Sequence, residues 1–241
     1  MAAASQTLSR GITALELLAD AEKPLSIGEL SERLGLHRSI TYRIVRTLEE
    51  HGLVVRDAGG LLELGPRLAA LARSVARDLQ SAALPELGAL AAELEMTAFL
   101  TILDGSEVVT LFSVEPRHGR ATVAQRPGTR HSLLVGAPGA AIQSILTAAE
   151  RKALRDAAVA DGSEASRLAQ LSDLATGPLE GGFATSHDEV IPGLSAIAVP
   201  LRVPGRAAAA LAVVYVHHDV PAAAIAERLQ QSAARIAADV A

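Results

Sequence analysis

The sequence predicts an α+β protein: a winged helix-turn-helix over residues 1–64, a connecting helix over 65–81, and a second domain over 82–241 in which an antiparallel sheet carries helices. Three observations carry this. In the first fifty residues apolar side chains recur every three or four positions between capping residues. The stretch LVVRDAGGLLEL then sets two short apolar runs about a glycine-rich turn. Further on, β-rich runs such as TAFLTILDG and EVVTLFSVE are interleaved with Ala-rich segments that favour helix.

Taken in order, LSRGITALELLAD sets Leu8, Ile12, Leu15 and Leu18 on one face of a first helix. Pro24 breaks it, since proline lacks the amide donor a helix needs. Ser26 followed by Glu29 is a capping-box signature for a second helix, which Gly35 ends. A third helix runs from about Arg38 to His51 and stops at Gly52. At about 100° per residue, Ile44, Val45 and Leu48 form its buried stripe, while Ser39, Tyr42, Arg43 and Arg46 project the opposite way. Ala58–Gly60 turns the wing, and Pro66 opens the connecting helix at a position where proline is tolerated. ALPELGALAAELE is a further helix, and Asp104–Gly105 joins two strands as a hairpin. GLSAIAVPL and AAALAVVYV are expected strands, with helices at about 137–159, 164–176 and 221–240.

Composition narrows the function. The chain has 241 residues, about half of them apolar, with no Cys or Trp, two Tyr and three Phe. Disulfides, thiolate catalysis and Cys-based metal sites are excluded, and base-stacking platforms for single strands are scarce. The apolar run AAAALAVVYVHH is too short to span a membrane, and the N-terminus lacks the pattern of a signal peptide, so a cytoplasmic protein without a membrane partner is expected. The net charge of −5 conceals a local excess: Arg33, Arg38, Arg43, Arg46 and Arg56 face only Glu49 and Glu50 within one short segment.

That excess lies on the helix which, in a helix-turn-helix, enters the major groove. Arginine can grip guanine bidentately, and hydroxyls and Tyr can bond phosphates or bases. Arg38, Ser39, Thr41, Tyr42, Arg43 and Arg46, with Gly59 and Gly60 of the wing, are therefore the candidate contacts to double-stranded DNA. An arginine-bearing solvated face of a protein-interaction module is the alternative.

The stretch from PLSIGELSERLGLHRSITYRIVRTLEEHGLVVRDAGGLLELGPRLAAL closely resembles the N-terminal domain of IclR-type bacterial transcriptional regulators, including the LGP before the connecting helix. GTRHSLLVGAPGAAIQSIL and GGFATSHDEVIPGLSAIAVPL resemble two further blocks of that family, in the same order. The resemblance implies a regulator, not an enzyme, with a C-terminal GAF-like domain that senses a small molecule without a cofactor. It also implies a homodimer or dimer of dimers on a palindromic operator. Where the family often has Ser-Thr followed by an aliphatic residue, this chain has Ser39, Ile40 and Thr41, and Ile40 sits at the edge of the stripe.

Gly136–Ala140 forms a Gly-rich entry into a helix, whose free amides can receive an anion or simply make a close turn. The resemblance places an effector carboxylate at Gly139 and Ala140, and other pocket positions at Leu133, Ser186, Leu194, Ala196, Ala212 and Val214. Ala and Val at several of these positions point to an apolar pocket, suited to a larger or aromatic acid rather than pyruvate. Adjacent residues of His217–Asp219 on a strand would face opposite ways, which disfavours a shared metal. Ser195 lacks the second glycine of a nucleophile elbow. His187, Asp188 and Glu189 read as a solvated loop beside the pocket, and Arg117, His118, Arg120, Arg126 and Arg130 as a basic region that attracts an acidic ligand or, the preferred reading, balances surface charge.

Overall fold

A computed structural model describes residues 5–72, 75–118, 123, 125–160, 179–203 and 205–240. The chain divides into two compact units, Met1–Arg77 and Asp78–Ala241.

The first unit contains α1 (Gln6–Ala19), α2 (Ile27–Arg33), α3 (Arg38–Glu50), β1 (Val54–Arg56), β2 (Leu62–Leu64) and α4 (Arg67–Ala72). The capping box forms as the sequence requires: Ser26 N–H donates to Glu29 Oε2 at 2.8 Å and Glu29 N–H to Ser26 Oγ at 3.2 Å. The Ser26 backbone N–H, ahead of the Ser26 hydroxyl, holds the Glu29 carboxyl below the usual carboxylate range. The α2–α3 turn passes through Gly35 at φ +61°, and β1 and β2 pair antiparallel as the wing. Its core joins Ala14, Leu18, Leu25, Leu30, Ile44, Val45, Val54 and Leu62.

The buried stripe of α1 differs from expectation. Gly11, Ala14 and Leu18 are buried, whereas Leu8 and Ile12 are exposed. A Cβ added at Gly11 would stand 3.9 Å from Ile44 Cγ2, so the small residues of α1 face α3 and the larger ones flank that contact. Gly65 explains the LGP motif: a Cβ there would come within 2.2 Å of the Gly52 carbonyl oxygen, so only glycine lets the chain leave the wing alongside the end of α3.

Residues 65–81 do not form one helix. The chain runs through α4, then Ala76 at φ +46°, before α5 (Arg77–Leu94), which continues through Pro85. The two helices expected at about 65–81 and across ALPELGALAAELE thus meet at different bounds, because α5 takes Leu79, Ala82, Ala83, Leu87, Leu90 and Ala91 as one buried face.

The second unit is built on a six-stranded antiparallel sheet in the order β5-β4-β3-β8-β7-β6. Its strands are β3 (Thr97–Asp104), β4 (Glu107–Val114), β5 (Arg130–Ser132), β6 (Ala184–His187), β7 (Leu194–Leu201) and β8 (Ala209–Val216). The β3–β4 hairpin turns at Asp104–Gly105 as expected. The region expected as one helix over 137–159 is α6 (Gly136–Ser144) and α7 (Ala148–Ala160). Thr147 begins α7 with a second capping box, its N–H donating to Glu150 Oε2 at 2.8 Å. The helix expected at 164–176 lies outside the described residues. The last helix, α8, spans Ala222–Val240.

α6 packs on one face of the sheet with Phe99, Ala198, Ala210, Ala212 and Val214. Alternate residues Ile197, Val199, Leu211 and Val213 are buried on the opposite face, where α8 packs on β7. α8 is tied to α5 by Arg235, whose Nε and Nη2 donate to Glu86 at 2.7 and 2.8 Å, and by Ser232 Oγ, which donates to Glu86 Oε2 at 2.6 Å. The Arg235 guanidinium, ahead of the Ser232 hydroxyl, holds the Glu86 carboxyl below its ordinary range.

Candidate nucleic-acid interface and ligand pocket

The helix-turn-helix presents α3 with Arg38, Ser39, Tyr42, Arg43 and Arg46 exposed. His37 caps it, its Nδ1 accepting from Ser39 N–H at 3.4 Å and lying 3.0 Å from Ser39 Oγ. The five arginines are not equivalent. Arg46 Nε donates to Glu50 at 3.1 Å and Arg56 Nε to Glu49 at 2.7 Å, so both carboxylates of the segment are engaged. Among the described residues, Arg33, Arg38 and Arg43 carry no ion pair, and the surplus charge resides there. Arg38 lies over α2, its Nη2 2.6 Å from where a Cβ at Gly28 would stand.

Thr41 is a correction. It is wholly buried, its Oγ1 3.5 Å from the His37 carbonyl, and has no surface to offer DNA. It precedes Ile44, Val45 and Leu48 by three, four and seven residues, which places it in the same stripe. At the wing tip Asp57 Oδ1 accepts from Gly59 N–H and Leu61 N–H, both at 2.8 Å, leaving Gly59 and Gly60 exposed. Arg56 Nη1 also donates to the Gly60 carbonyl at 3.1 Å, so one arginine braces the wing and α3 together.

In the second unit a cavity of about 70 Å³ opens at the start of α6. Ser186, Leu194, Ala196 and Val214 line it as expected. Leu133, Gly139, Ala140 and Ala212 do not: they are buried in the packing between α6 and the sheet. Gly139 serves a close approach, since a Cβ there would meet the Leu133 carbonyl oxygen at 2.3 Å. Gln143 Nε2 donates to that same carbonyl at 2.9 Å. Because α6 begins at Gly136, Gly139 and Ala140 are already inside the helix, where amides are spent on the preceding turn. The free amides of its first turn belong to Gly136 and Ala137, Pro138 having none.

The wall is more polar than the substituted positions suggested. Gln125, Thr129 and His131 line one side, and Glu189, Val190 and Ile191 of the β6–β7 connection line another. Burial pushes the His131 imidazole below its ordinary range. Glu189 is not merely solvated: its Oε2 accepts from Gly136 N–H at 2.8 Å.

Ser195 also belongs to the cavity lining, and its Oγ lies 3.1 Å from His187 Nδ1 and 2.8 Å from His217 Nδ1, the two imidazoles meeting with centroids 3.9 Å apart. His218 turns away, its Nδ1 2.8 Å from the Val216 carbonyl oxygen, and its ring meets Tyr215 edge-on. Arg130 is bound to Asp104 and Glu107 at 2.7 and 2.8 Å, which fits surface charge balance. Arg120 lies outside the described residues.

Residues 7–58 match the IclR helix-turn-helix domain, and residues 72–239 match the bacterial transcriptional regulator IclR C-terminal domain. The chain belongs to the IclR family of bacterial transcriptional regulators. It is accordingly a DNA-binding transcriptional regulator and not an enzyme. The glycerol operon regulatory protein of Streptomyces griseus is 28% identical over 207 residues, covering 84% of this chain and 81% of that protein. An HTH-type transcriptional regulator of Mycobacterium tuberculosis is 36% identical over 112 residues, covering 46% of this chain and 43% of its own length. The crystal structure of an IclR transcriptional regulator from Alicyclobacillus acidocaldarius superposes with a TM-score of 0.79 at 26% identity, covering 99% of this chain and all of that one. An IclR homologue of Microbacterium hydrocarbonoxydans, complexed with 4-hydroxybenzoate, shares the fold with a TM-score of 0.76 at 22% identity, covering 98% and 99%. Among the described residues no helix is long and apolar enough to cross a membrane.

Sequence reasoning missed Gln125, Thr129, His131, Val190 and Ile191 as pocket residues. They come from segments without periodicity, brought together only by the sheet. Glu189 reads from the sequence as a solvated loop residue, because its partner Gly136 lies 53 positions away.

Proposed function

We propose that the chain binds double-stranded operator DNA through α3 and the wing, and that a small, fairly apolar or aromatic carboxylate in the α6 cavity modulates that binding. Residues 1–64 read DNA, 82–241 sense the ligand, and 65–81 couple the two in a cytoplasmic homodimer or dimer of dimers. The observation that carries the reading is the charge of Arg33, Arg38 and Arg43, unpaired among the described residues, beside a wing whose own arginine is already engaged. Arg43 and Arg46 contact phosphate or base edges, with Arg38, Ser39 and Tyr42 near the groove and Gly59–Gly60 along the backbone.

The ligand class is supported by apolar Phe99, Leu194 and Val214 around the start of a helix, and by the aromatic acid bound to one solved homologue. A ligand changes operator affinity only through unequal affinity for two arrangements of the protein. The test is fluorescence anisotropy on DNA upstream of the chain's own gene, with and without 4-hydroxybenzoate, alongside a thermal-shift screen of aromatic and short hydroxy acids. Salt-sensitive preference for that DNA, altered by an aromatic acid, supports the reading. Pyruvate or another short acid as the tightest ligand overturns the ligand class, and equal binding to a scrambled duplex overturns operator recognition.

A further inference from the structure

The protein's own carboxylate occupies the mouth of the cavity. Glu189 Oε2 accepts from Gly136 N–H, the first amide of α6, which is where an incoming carboxylate is best stabilised by unpaired donors and the helix dipole. Of the other two residues in that first turn, Pro138 has no N–H, leaving only Ala137. An anionic ligand thus meets a site already neutralised by an anion.

The same connection narrows the cavity sterically. Val190 and Ile191 form part of the wall while remaining about half exposed, 46% and 48%, as the tip of a hairpin between β6 and β7. The hairpin is braced internally, where Gly193 N–H donates to Asp188 Oδ1 at 2.6 Å and Asp188 N–H to the Leu194 carbonyl at 3.0 Å, and from the end of β8, where His217 N–H donates to the Gly193 carbonyl at 3.0 Å. Its tip rests on Gly136, where an added Cβ would lie 2.9 Å from Val190 Cγ2. The space, about 70 Å³ and partly open to solvent, is too small to bury an aromatic ring, since a cavity that holds benzene is about 150 Å³.

From these observations we infer that Glu189 is a latch: its carboxylate holds the 188–193 hairpin closed over the cavity, and a carboxylate ligand enters by taking its place on Gly136 N–H. The exchange is one anion for another at the same donor, so helix stabilisation is retained while the hairpin tip is released and the cavity enlarges. Ligand occupancy is thereby coupled to the position of the β6–β7 connection. This inference rests on the carboxylate ligand proposed above, but the closed hairpin itself is testable without one.

The experiment compares the full-length protein with Glu189→Gln, which keeps shape and removes charge, and Val190→Ala, which widens the cavity and keeps the latch. Amide hydrogen exchange of ligand-free protein reads the hairpin, and calorimetric titration with 4-hydroxybenzoate reads displacement. Glu189→Gln is expected to exchange faster at Gly136 and across 189–191, and to bind the probe about ten-fold tighter, equivalent to about 1.4 kcal/mol. Val190→Ala is expected to keep the Gly136 protection of the wild type and to bind more tightly than the wild type. Probe binding to the wild type that is unchanged or weakened in Glu189→Gln overturns the latch while leaving the ligand class intact. Faster exchange with no probe binding by any of the three proteins overturns displacement and the carboxylate reading together. Unchanged exchange in Glu189→Gln overturns the closed hairpin directly.

Discussion

Arg43 and Glu50 should have opposite effects on DNA affinity. Arg43 is exposed and carries no ion pair among the described residues, so its full charge is available to a phosphate or base. Arg46 shares its charge with Glu50 across an exposed 3.1 Å pair, and Glu50 is a negative group on the same helix face. If Arg43 neutralises one phosphate, Arg43→Ala should reduce the slope of log affinity against log salt by about 0.9. The affinity lost between about 50 and 200 mM salt then shrinks about three-fold. If Arg43 grips a base edge instead, the loss is about 1–3 kcal/mol and specificity relaxes at one operator position. Glu50→Gln should tighten binding by under about 1 kcal/mol, because breaking an exposed pair costs little and a repulsive charge is removed. Anisotropy titrations of wild type, Arg43→Ala and Glu50→Gln at four salt concentrations measure both. An Arg43→Ala protein with wild-type affinity and slope, or a Glu50→Gln protein that binds more weakly, would refute the reasoning.

Other substitutions probe the two units separately. Thr41→Val should leave DNA affinity within two-fold (about 0.4 kcal/mol), since the side chain is buried and its 3.5 Å hydrogen bond is long; a large affinity loss at unchanged melting temperature would restore Thr41 to the interface. Gly139→Ala should destabilise the second unit by about 1–3 kcal/mol or more in urea denaturation, because its Cβ would stand 2.3 Å from the Leu133 carbonyl oxygen; wild-type stability would show that α6 can shift freely. Glu86→Gln should lower stability at pH 7. Its folded carboxyl sits below the ordinary value of 4.5, so its contribution is present above that pH and fades as pH falls through the lower folded value. Urea melts at pH 7 and at strongly acid pH should therefore differ from wild type in the first case and converge in the second, and a gap that persists in acid would contradict the assignment.

The head was largely legible because its signals are local. Ser26 and Glu29 sit three apart and cap each other, Gly35 and Gly52 take positive φ at helix ends, and DAGG turns the wing. The misreadings there concern burial. Leu8 and Ile12 look like core by hydrophobicity, yet small Gly11 and Ala14 occupy the closest face. Thr41 looks like a contact by chemistry, yet its spacing from Ile44 and Val45 buries it. In the second unit the long strands were readable, but β5 and β6, three and four residues long at the sheet edges, are too short to show alternation. The cavity was half legible, since one wall lies in the strands and the other comes from residues 125–131 and 189–191. The Glu189–Gly136 contact joins positions 53 apart in sequence, which no local pattern encodes.

The most direct test of the central claim is the affinity of the purified protein for the DNA upstream of its own gene, against a scrambled duplex of equal length, measured by anisotropy at two salt concentrations. The account predicts a tight preference for the upstream fragment that weakens steeply as salt rises. Equal affinity for both duplexes, with no dependence on salt, would contradict it.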